Sequence, residues 1–240
     1  MSVYLGIIGL GNIGYYLGKQ KKDLLLNHYK SFNNNDYFKI IFGVDKNKKT
    51  CINFSRETGI KSYNSIKEAI INNKPELIVI STPYVNRLNI FQDIFSIYIP
   101  KVILSEKPLD FSYDNILAIN SLIKKFNTKL FINYPRNSNP AFINNLKKFI
   151  SVNSIKNGHV YYKRGVNNNA SHFIVLLIKI FNSFPKIMYI EKKRIIKNDF
   201  NANFILIFND KIHINFYYIR NSYIEYELEL TSNKYTINYS

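Results

Sequence analysis

The first half of the chain alternates short apolar runs with segments of helical composition. The predicted strands are the apolar runs Val3–Ile8, Phe38–Val44, Glu76–Ser81, Lys101–Leu104 and Lys129–Asn133. The predicted helices are Tyr15–Asn27, Cys51–Thr58, Ser65–Asn72 (which opens with a capping-box spacing), Tyr84–Tyr98 and Ser112–Phe126. Strands that alternate with helices are typical of βαβ units, in which helices cover both faces of a parallel sheet.

The second half has a different pattern. A helix at Pro140–Ile150, a strand at Gly158–Tyr162 and a helix at Ser171–Phe181 are followed, after Pro185, by strand-like segments alone. Polar turns separate these segments, and YIEYELEL alternates apolar with charged residues, which predicts one buried and one wet face. We therefore expect an α/β domain over residues 1–134 and an α+β domain with an antiparallel sheet over 135–240, joined at YPRNSNP.

Composition and charge limit the possible function. Of the 240 residues 46% are apolar and 20% charged, which excludes an intrinsically disordered chain. Lys and Arg number 33 against 16 Asp and Glu, giving +17, but the lysines are scattered in short runs. Lys, Asn, Ile and Tyr are plentiful, as AT-rich codons would impose. We interpret the charge as codon bias with a modest preference for small anionic molecules, and expect no nucleic acid as the main partner.

The cellular setting follows from the absence of several signals. Cys51 is the single cysteine, so no intrachain disulfide forms and a reducing compartment is expected. The first residues lack the features of a signal peptide, and no apolar run approaches the roughly 18 residues that span a bilayer. We expect a cytoplasmic protein without membrane contact. No cluster has metal-ligand spacing, so no metal is expected.

A glycine-rich segment provides the first functional signal. Gly9-Leu-Gly11-Asn12-Ile13-Gly14 follows the first strand and is predicted to open a helix. Its glycines allow a tight turn, close approach of a pyrophosphate and close packing of helix on sheet. The pyrophosphate would lie on exposed N–H groups at the start of the helix.

Asp45 ends the second predicted strand, FKIIFGVD, and is the second signal. A carboxylate in this place accepts hydrogen bonds from the adenosine ribose hydroxyls and disfavours a 2′-phosphate. Asp45 therefore favours NAD, whereas Lys46 and Lys48 beside it keep NADP open. The alternative is that Asp45 only caps the strand end. The long spacing from the glycines is attributed to a polar insertion, HYKSFNNNDYF.

Two tripeptides complete a family pattern. Ser81-Thr82-Pro83 stands at the end of the predicted strand Glu76–Ser81, and Glu106-Lys107-Pro108 follows the predicted strand Lys101–Leu104. Taken in order, GLGNIG, VD, STP and EKP resemble the Gfo/Idh/MocA family of NAD(P)-dependent oxidoreductases, closely over residues 3–136. The resemblance implies an α/β Rossmann domain with a doubly wound parallel sheet, followed by an α+β domain with an open, mostly antiparallel sheet.

The resemblance also implies a coenzyme site. Its residues would be Gly9, Gly11, Asn12, Ile13, Gly14, Asp45, Lys46, Ser81, Thr82, Pro83, Glu106, Lys107 and Pro108. By the same resemblance, Lys107 lies beside the nicotinamide and hydrogen-bonds the substrate oxygen, and the Lys107–Pro108 bond is cis. As a cation, Lys107 would stabilise developing oxyanion charge. No role is assigned to Arg87, where many relatives have a histidine.

The second domain carries a weaker match. Asn167-Asn-Asn-Ala-Ser-His172 resembles the family segment with a catalytic histidine at a helix start, and Asn168 replaces the more common aspartate. An imidazole suits removal of a hydroxyl proton during hydride transfer. The alternative is that His172 is a helix-cap residue without chemistry. The remaining histidines, His28, His159 and His213, are expected to be structural or exposed.

The substrate candidates lie in the same domain. Tyr134 and Arg136 occupy the family's domain-crossing segment, and Asn168 and His172 would join them in binding substrate. The alternative for Arg136 is a solvated surface arginine.

The resemblance leads to two hypotheses of function. The first is an NAD(P)-dependent dehydrogenase or reductase of a sugar or nucleotide-linked sugar, in a version associated with surface-polysaccharide pathways. The second is a non-catalytic nucleotide-binding protein that acts through protein partners, which Asn168 and the short C-terminal domain favour. The open sheet face predicts a homodimer. A redox-sensing nucleic-acid binder lacks an identifiable DNA-binding motif.

Overall fold

The computed structural model describes residues 2–21, 24–196, 199–220 and 226–239, without the side chains of residues 136, 152 and 192–196. The chain divides into two compact units, Met1–Asn133 and Tyr134–Ser240. None of the helices in the described ranges is long and apolar enough to cross a membrane.

The first unit is built on one parallel sheet of six strands in the order β3-β2-β1-β4-β5-β6. The strands are β1 Val3–Ile8, β2 Phe38–Val44, β3 Ser62–Tyr63, β4 Leu77–Ile80, β5 Val102–Glu106 and β6 Lys129–Asn133. The helices are α1 His28–Asn33, α2 Lys48–Thr58, α3 Ile66–Asn73, α4 Arg87–Phe95 and α5 Tyr113–Lys125. This is the doubly wound α/β fold that the alternating pattern predicts.

The central strand β4 shows why the sheet is covered on both faces. All of its residues are buried. Ile78 and Ile80 pack in one apolar cluster, and Leu77 and Val79 pack in another. Because successive side chains of a strand point to opposite faces, a continuous apolar run requires a helical layer on each side.

Polar side chains cap the helices that follow β2 and β3. The Ser65 side chain accepts a hydrogen bond from the Glu68 N–H at 3.4 Å, as the N-cap of α3. Asn47 caps α2 by accepting bonds from the N–H groups of Lys49 and Thr50. Polar caps of this kind satisfy N–H groups that have no acceptor within the helix.

The predicted helix Tyr15–Asn27 is wrong. The glycine-rich segment leads into a single π-helical turn, Asn12–Tyr16, after which Leu17 is extended and Gly18 has φ +65°. Extended and left-handed residues in succession cannot continue a right-handed helix. The helix instead begins at His28 with Asn27 as its N-cap, so the stretch interpreted as a polar insertion contains α1.

The second unit contains a mixed, mostly antiparallel sheet in the order β12-β11-β7-β10-β9-β8, as the sequence predicts. Its strands are β7 Ile155–Tyr162, β8 Lys186–Ile196, β9 Asp199–Phe208, β10 Ile212–Tyr218, β11 Tyr226–Ser232 and β12 Thr236–Tyr239. Strand β10 runs parallel to β7, and the other pairs are antiparallel. Two helices, α6 Pro140–Val152 and α7 Ser171–Phe181, complete the unit.

One face of this sheet forms the core of the second unit. Val160, Phe204 and Phe216 from the strands pack in one cluster with Phe173 and Leu177 of α7. On the opposite face, the rings of His159, Tyr161 and Tyr217 stand side by side with centroids 5.6 to 6.5 Å apart. The alternating strands thus give one covered face and one open face.

Adjacent residues of β10 test this division of faces. Phe216 is fully buried, whereas Tyr217 on the open face is 36% exposed. We expect Phe216→Ala to lower the free energy of unfolding by about 3–5 kcal/mol, because it leaves a cavity in the core. Tyr217→Ala should lower the free energy of unfolding by clearly less, because the Tyr217 side chain is already partly exposed. The measurement is chemical denaturation followed by circular dichroism, and equal losses in the two variants would contradict the assigned faces.

Candidate functional site

The carboxyl edge of the first sheet surrounds a cavity of about 1060 Å³. Its lining includes seven of the residues that the sequence predicts for the coenzyme: Gly9, Gly11, Asp45, Lys46, Ser81, Thr82 and Pro83. Asn12, Ile13 and Gly14 lie in the turn that follows Gly11, and Glu106, Lys107 and Pro108 lie at the end of the neighbouring strand β5. Open α/β sheets bind ligands at this edge, where the strand order reverses.

The glycine-rich turn depends on two of its glycines. Gly9 has φ +97°, a conformation that favours glycine. A Cβ on Gly14 would lie 2.0 Å from the Gly9 carbonyl oxygen, so the turn closes only without a side chain there. The Ser81 hydroxyl donates to that same oxygen at 2.6 Å. The ends of β1 and β4 are thereby joined at the floor of the cavity.

Asp45 connects two loops at the cavity wall. Its Oδ2 accepts from the Leu10 N–H at 2.8 Å, and its Oδ1 accepts from the Asn47 N–H at 2.9 Å. The strand-end cap weighed for Asp45 is therefore part of its role. Each carboxylate oxygen can accept more than one hydrogen bond, so the side chain keeps acceptor capacity for hydroxyl groups within the cavity that it lines.

The cavity suits a long polar ligand with phosphates. Thr82 Oγ1 is buried and has no hydrogen-bond partner in the described part of the chain. A Cβ on Gly11 would meet nothing within 4 Å, so the backbone of the turn is open on that side. An orphaned hydroxyl and an accessible backbone turn, with the Asp45 carboxylate hydrogen-bonded to that turn, fit the groups of a dinucleotide.

Arg87, to which the sequence assigned no role, organises this edge. It is 1% exposed at the start of α4, and its guanidinium donates to the Pro108 carbonyl at 2.9 Å and the Ser105 hydroxyl at 3.1 Å. It also donates to the Thr82 and Glu106 carbonyls. Burial lowers its pKa to about 10, so the group stays charged at neutral pH. Arg87 therefore fixes the loop after β4 against the segment after β5.

The Glu106–Lys107–Pro108 segment has a second attachment. Its Lys107–Pro108 bond is cis, as predicted. The Glu106 Oε1 atom accepts from His28 Nε2 at 2.8 Å and from Asn133 Nδ2 at 2.6 Å. Burial would raise the pKa of Glu106, but these two donors and the charge of Lys107 outweigh burial and lower the pKa. Glu106 is therefore a carboxylate at neutral pH, and His28 is a buried neighbour of the site.

In the second unit the structure brings His172 and Tyr134 together. His172 is 7% exposed in the first turn of α7. Its ring packs edge-on against the ring of Tyr134, with the two centroids 5.3 Å apart. Ala170 holds the N-cap position, so His172 lies inside the first turn and does not cap the helix, while its catalytic role stays a prediction. Burial raises the pKa of Tyr134, and a hydrogen bond with Ser171 works against this rise.

An aspartate that the sequence did not single out shapes the same loop. The Asp199 carboxylate accepts from the N–H groups of Asn167 and Asn168, each at 3.0 Å. It thereby holds the π-helical turn Val166–Ala170 that leads into α7. The side chain of the predicted residue Arg136 lies outside the described part of the structure.

The two predicted catalytic residues belong to different units, Lys107 to the first and His172 to the second. Their close approach stays a prediction. Among the described residues, no group of three or more His, Cys, Asp or Glu side chains is arranged to hold a metal ion.

Comparison with known proteins identifies the first unit. The sequence model of an oxidoreductase family with an NAD-binding Rossmann fold, Gfo/Idh/MocA, matches residues 3–134. No curated protein matches the chain.

Solved structures resemble the whole chain. They include the MviM dehydrogenase from Clostridium difficile (16% identity, 100% of this chain, 77% of that chain, TM-score 0.77). A myo-inositol dehydrogenase from Corynebacterium glutamicum is 14% identical, and the match covers 100% of this chain and 75% of that chain with a TM-score of 0.78. The WlbA dehydrogenase from Bordetella pertussis, in complex with NADH and UDP-GlcNAcA, is 16% identical. The match covers 99% of this chain and 78% of that chain with a TM-score of 0.76. At these identities the likeness establishes the fold.

The role of Arg87 leads to a stability prediction. Arg87→Ala leaves three backbone carbonyls in a buried region without their donor, and we expect a loss of about 3 kcal/mol or more in the free energy of unfolding. The matched control is Lys101→Ala, which removes an exposed cation bonded to Glu76. Chemical denaturation measures both variants. A similar, small effect of the two substitutions would contradict the role of Arg87.

Proposed function

The chain belongs to the Gfo/Idh/MocA oxidoreductase family, and we propose that it transfers hydride between a nicotinamide coenzyme and a hydroxyl or keto carbon of a sugar or nucleotide-linked sugar. The observation that carries this proposal is the attachment of the Lys107 segment, through Arg87, to the loop that lines the dinucleotide-sized cavity. WlbA, a similar structure, is in complex with NADH and UDP-GlcNAcA, which supports the substrate class.

The residues at the cavity suggest how the coenzyme is held. The open backbone of the glycine-rich turn suits the pyrophosphate, and the Asp45 carboxylate suits the adenosine ribose hydroxyls. Thr82 Oγ1 gains a partner when a polar group of the coenzyme lies beside it. NAD supplies, when bound, a hydride acceptor at C4 of its nicotinamide ring.

Two side chains of this chain carry the proton chemistry in the proposal. The Lys107 ammonium group stabilises negative charge on the substrate oxygen as the carbonyl forms. The His172 imidazole takes the hydroxyl proton, because its ordinary pKa is near neutrality. In the reverse direction the protonated His172 imidazole returns the proton to the substrate oxygen, and the Lys107 ammonium group again stabilises the charge on that oxygen.

Asn168 favours a second candidate function. An amide in place of the family's more common aspartate cannot relay a proton, which suits a nucleotide-binding protein that acts through protein partners. Turnover separates the two candidates, since only the enzyme oxidises sugars with NAD. A panel of UDP-, GDP- and CMP-linked sugars, followed at the absorbance of NADH, is the direct assay.

We infer a cytoplasmic setting for this activity. Cys51 is a free, buried thiol whose S–H points to the carbonyls of Asp45 and Tyr63 at 3.3 Å. Burial raises the pKa of the thiol, so it stays protonated and slow to oxidise. A chain with this single thiol suits a reducing compartment.

We also propose a homodimer formed through the open face of the sheet in the second unit. Ile205, Ile207 and the ring of Tyr217 are partly exposed on this face. Partly apolar sheet faces of this kind commonly mediate association.

Lys107→Ala tests the catalytic assignment. We expect turnover to fall by about a thousandfold, because the variant lacks the cation that stabilises the oxyanion. The affinity for NADH, titrated by nicotinamide fluorescence, should change little. Lys101→Ala should keep full turnover. Turnover that survives in Lys107→Ala would show that the assignment is wrong.

Asp45→Ala tests the coenzyme preference. Removing the carboxylate removes both an acceptor for the ribose hydroxyls and the repulsion of a 2′-phosphate. We expect the ratio of NADH to NADPH affinity to fall by about tenfold, equivalent to about 1.4 kcal/mol. An unchanged ratio would leave Asp45 with its capping role alone.

Light scattering at micromolar concentration tests the dimer. We expect a mass of twice 28.2 kDa for the native chain. Tyr217→Glu, which places a charge on the open face, should yield the single-chain mass. A native sample at the single-chain mass would exclude the dimer.

A further inference from the structure

We propose that His28 is a positioning residue for Lys107 and acts through the Glu106 carboxylate. The proposal rests on the proposed function, because it concerns the lysine that stabilises the reacting oxygen. His28 belongs to no motif, and its bond to Glu106 joins residues 78 positions apart.

Helix α1 is anchored to the end of the glycine-rich turn. Asn27 Nδ2 donates to the Leu17 carbonyl at 2.8 Å, and Lys30 Nζ donates to the Gly18 carbonyl at 2.5 Å. Leu17 and Gly18 follow directly on the π-helical turn Asn12–Tyr16. The first residues of α1 are therefore tied by side-chain hydrogen bonds to the segment expected to bind the pyrophosphate.

The His28 ring reaches from this helix to the segment after β5. Its side chain is 8% exposed, the Glu106 side chain is 13% exposed, and Nε2 lies 2.8 Å from Oε1. The ring of Phe32, one helical turn later, stacks on it with centroids 6.3 Å apart. Because Glu106 is a carboxylate at neutral pH and can only accept, the His28 ring carries a hydrogen on Nε2 and donates a hydrogen bond to Oε1.

His28 supplies one of the side-chain hydrogen bonds that hold the Glu106 carboxylate in place. Asn133 donates to the same Oε1 atom, and Arg87 holds the Glu106 carbonyl. Without His28, the mostly buried carboxylate keeps the Asn133 amide and the charge of Lys107, and it can compensate for the lost hydrogen bond by turning toward water or toward the Lys107 ammonium group. Lys107 shares a peptide bond with Glu106 and shifts with it, and displacements near 1 Å at a reacting centre cost about a hundredfold in rate.

A double-mutant cycle tests the proposal. We expect His28→Leu to lower kcat by at least tenfold in the assay with NAD and the nucleotide-sugar panel, while KM for NAD stays within twofold. His28→Gln, whose amide can donate to Glu106, should recover a third or more of the lost rate. In a Glu106→Gln background, His28→Leu should cause little further loss, because both changes remove the same interaction.

The control is Lys101→Ala, which removes an exposed cation bonded to the Glu76 carboxylate and should keep full turnover. Full turnover in His28→Leu, or an equal loss in the native and Glu106→Gln backgrounds, would overturn the positioning role alone. A native chain that neither binds NADH nor oxidises any sugar of the panel would overturn the proposed function itself.

Discussion

A guanidinium that is removed from water has to find hydrogen-bond acceptors, and this constraint organises the carboxyl edge of the first sheet. Arg87 finds them in the loop after β4, at the last two residues of β5 and at Pro108 just beyond that strand. The wall of the cavity and the Lys107 segment are consequently parts of one hydrogen-bonded unit. The glycine-rich turn is attached to the same edge through the Ser81 hydroxyl.

Sequence reasoning succeeded where the signal is local. The apolar run of β4 and the Ser65 cap of α3 each follow from a few neighbouring residues, whereas the cis bond after Lys107 was implied by the family resemblance. Seven of the predicted coenzyme residues line one cavity because parallel strands place their carboxyl ends at one edge. The fold class and the grouping of these residues around one cavity could therefore be predicted together.

The residues that sequence reasoning missed act across long distances in the chain. His28 meets Glu106 from 78 positions away, and Asp199 meets Asn167 from 32 positions away. No spacing rule encodes such pairs, since they arise only when the strands assemble. The predicted helix Tyr15–Asn27 is wrong for the opposite reason: its composition is helical, but Leu17 is extended and Gly18, which adopts a positive φ without steric cost, is left-handed.

The contacts of Arg87 have a consequence for how the protein can change over time. Three of its four acceptors are main-chain carbonyls, those of Thr82, Glu106 and Pro108. Every amino acid presents such a carbonyl, so neighbouring loop residues can be exchanged during sequence drift without loss of this junction. The arginine has no such freedom, and mutational tolerance at this edge is therefore unequal: broad for the residues that accept the bonds, narrow for the one that donates them.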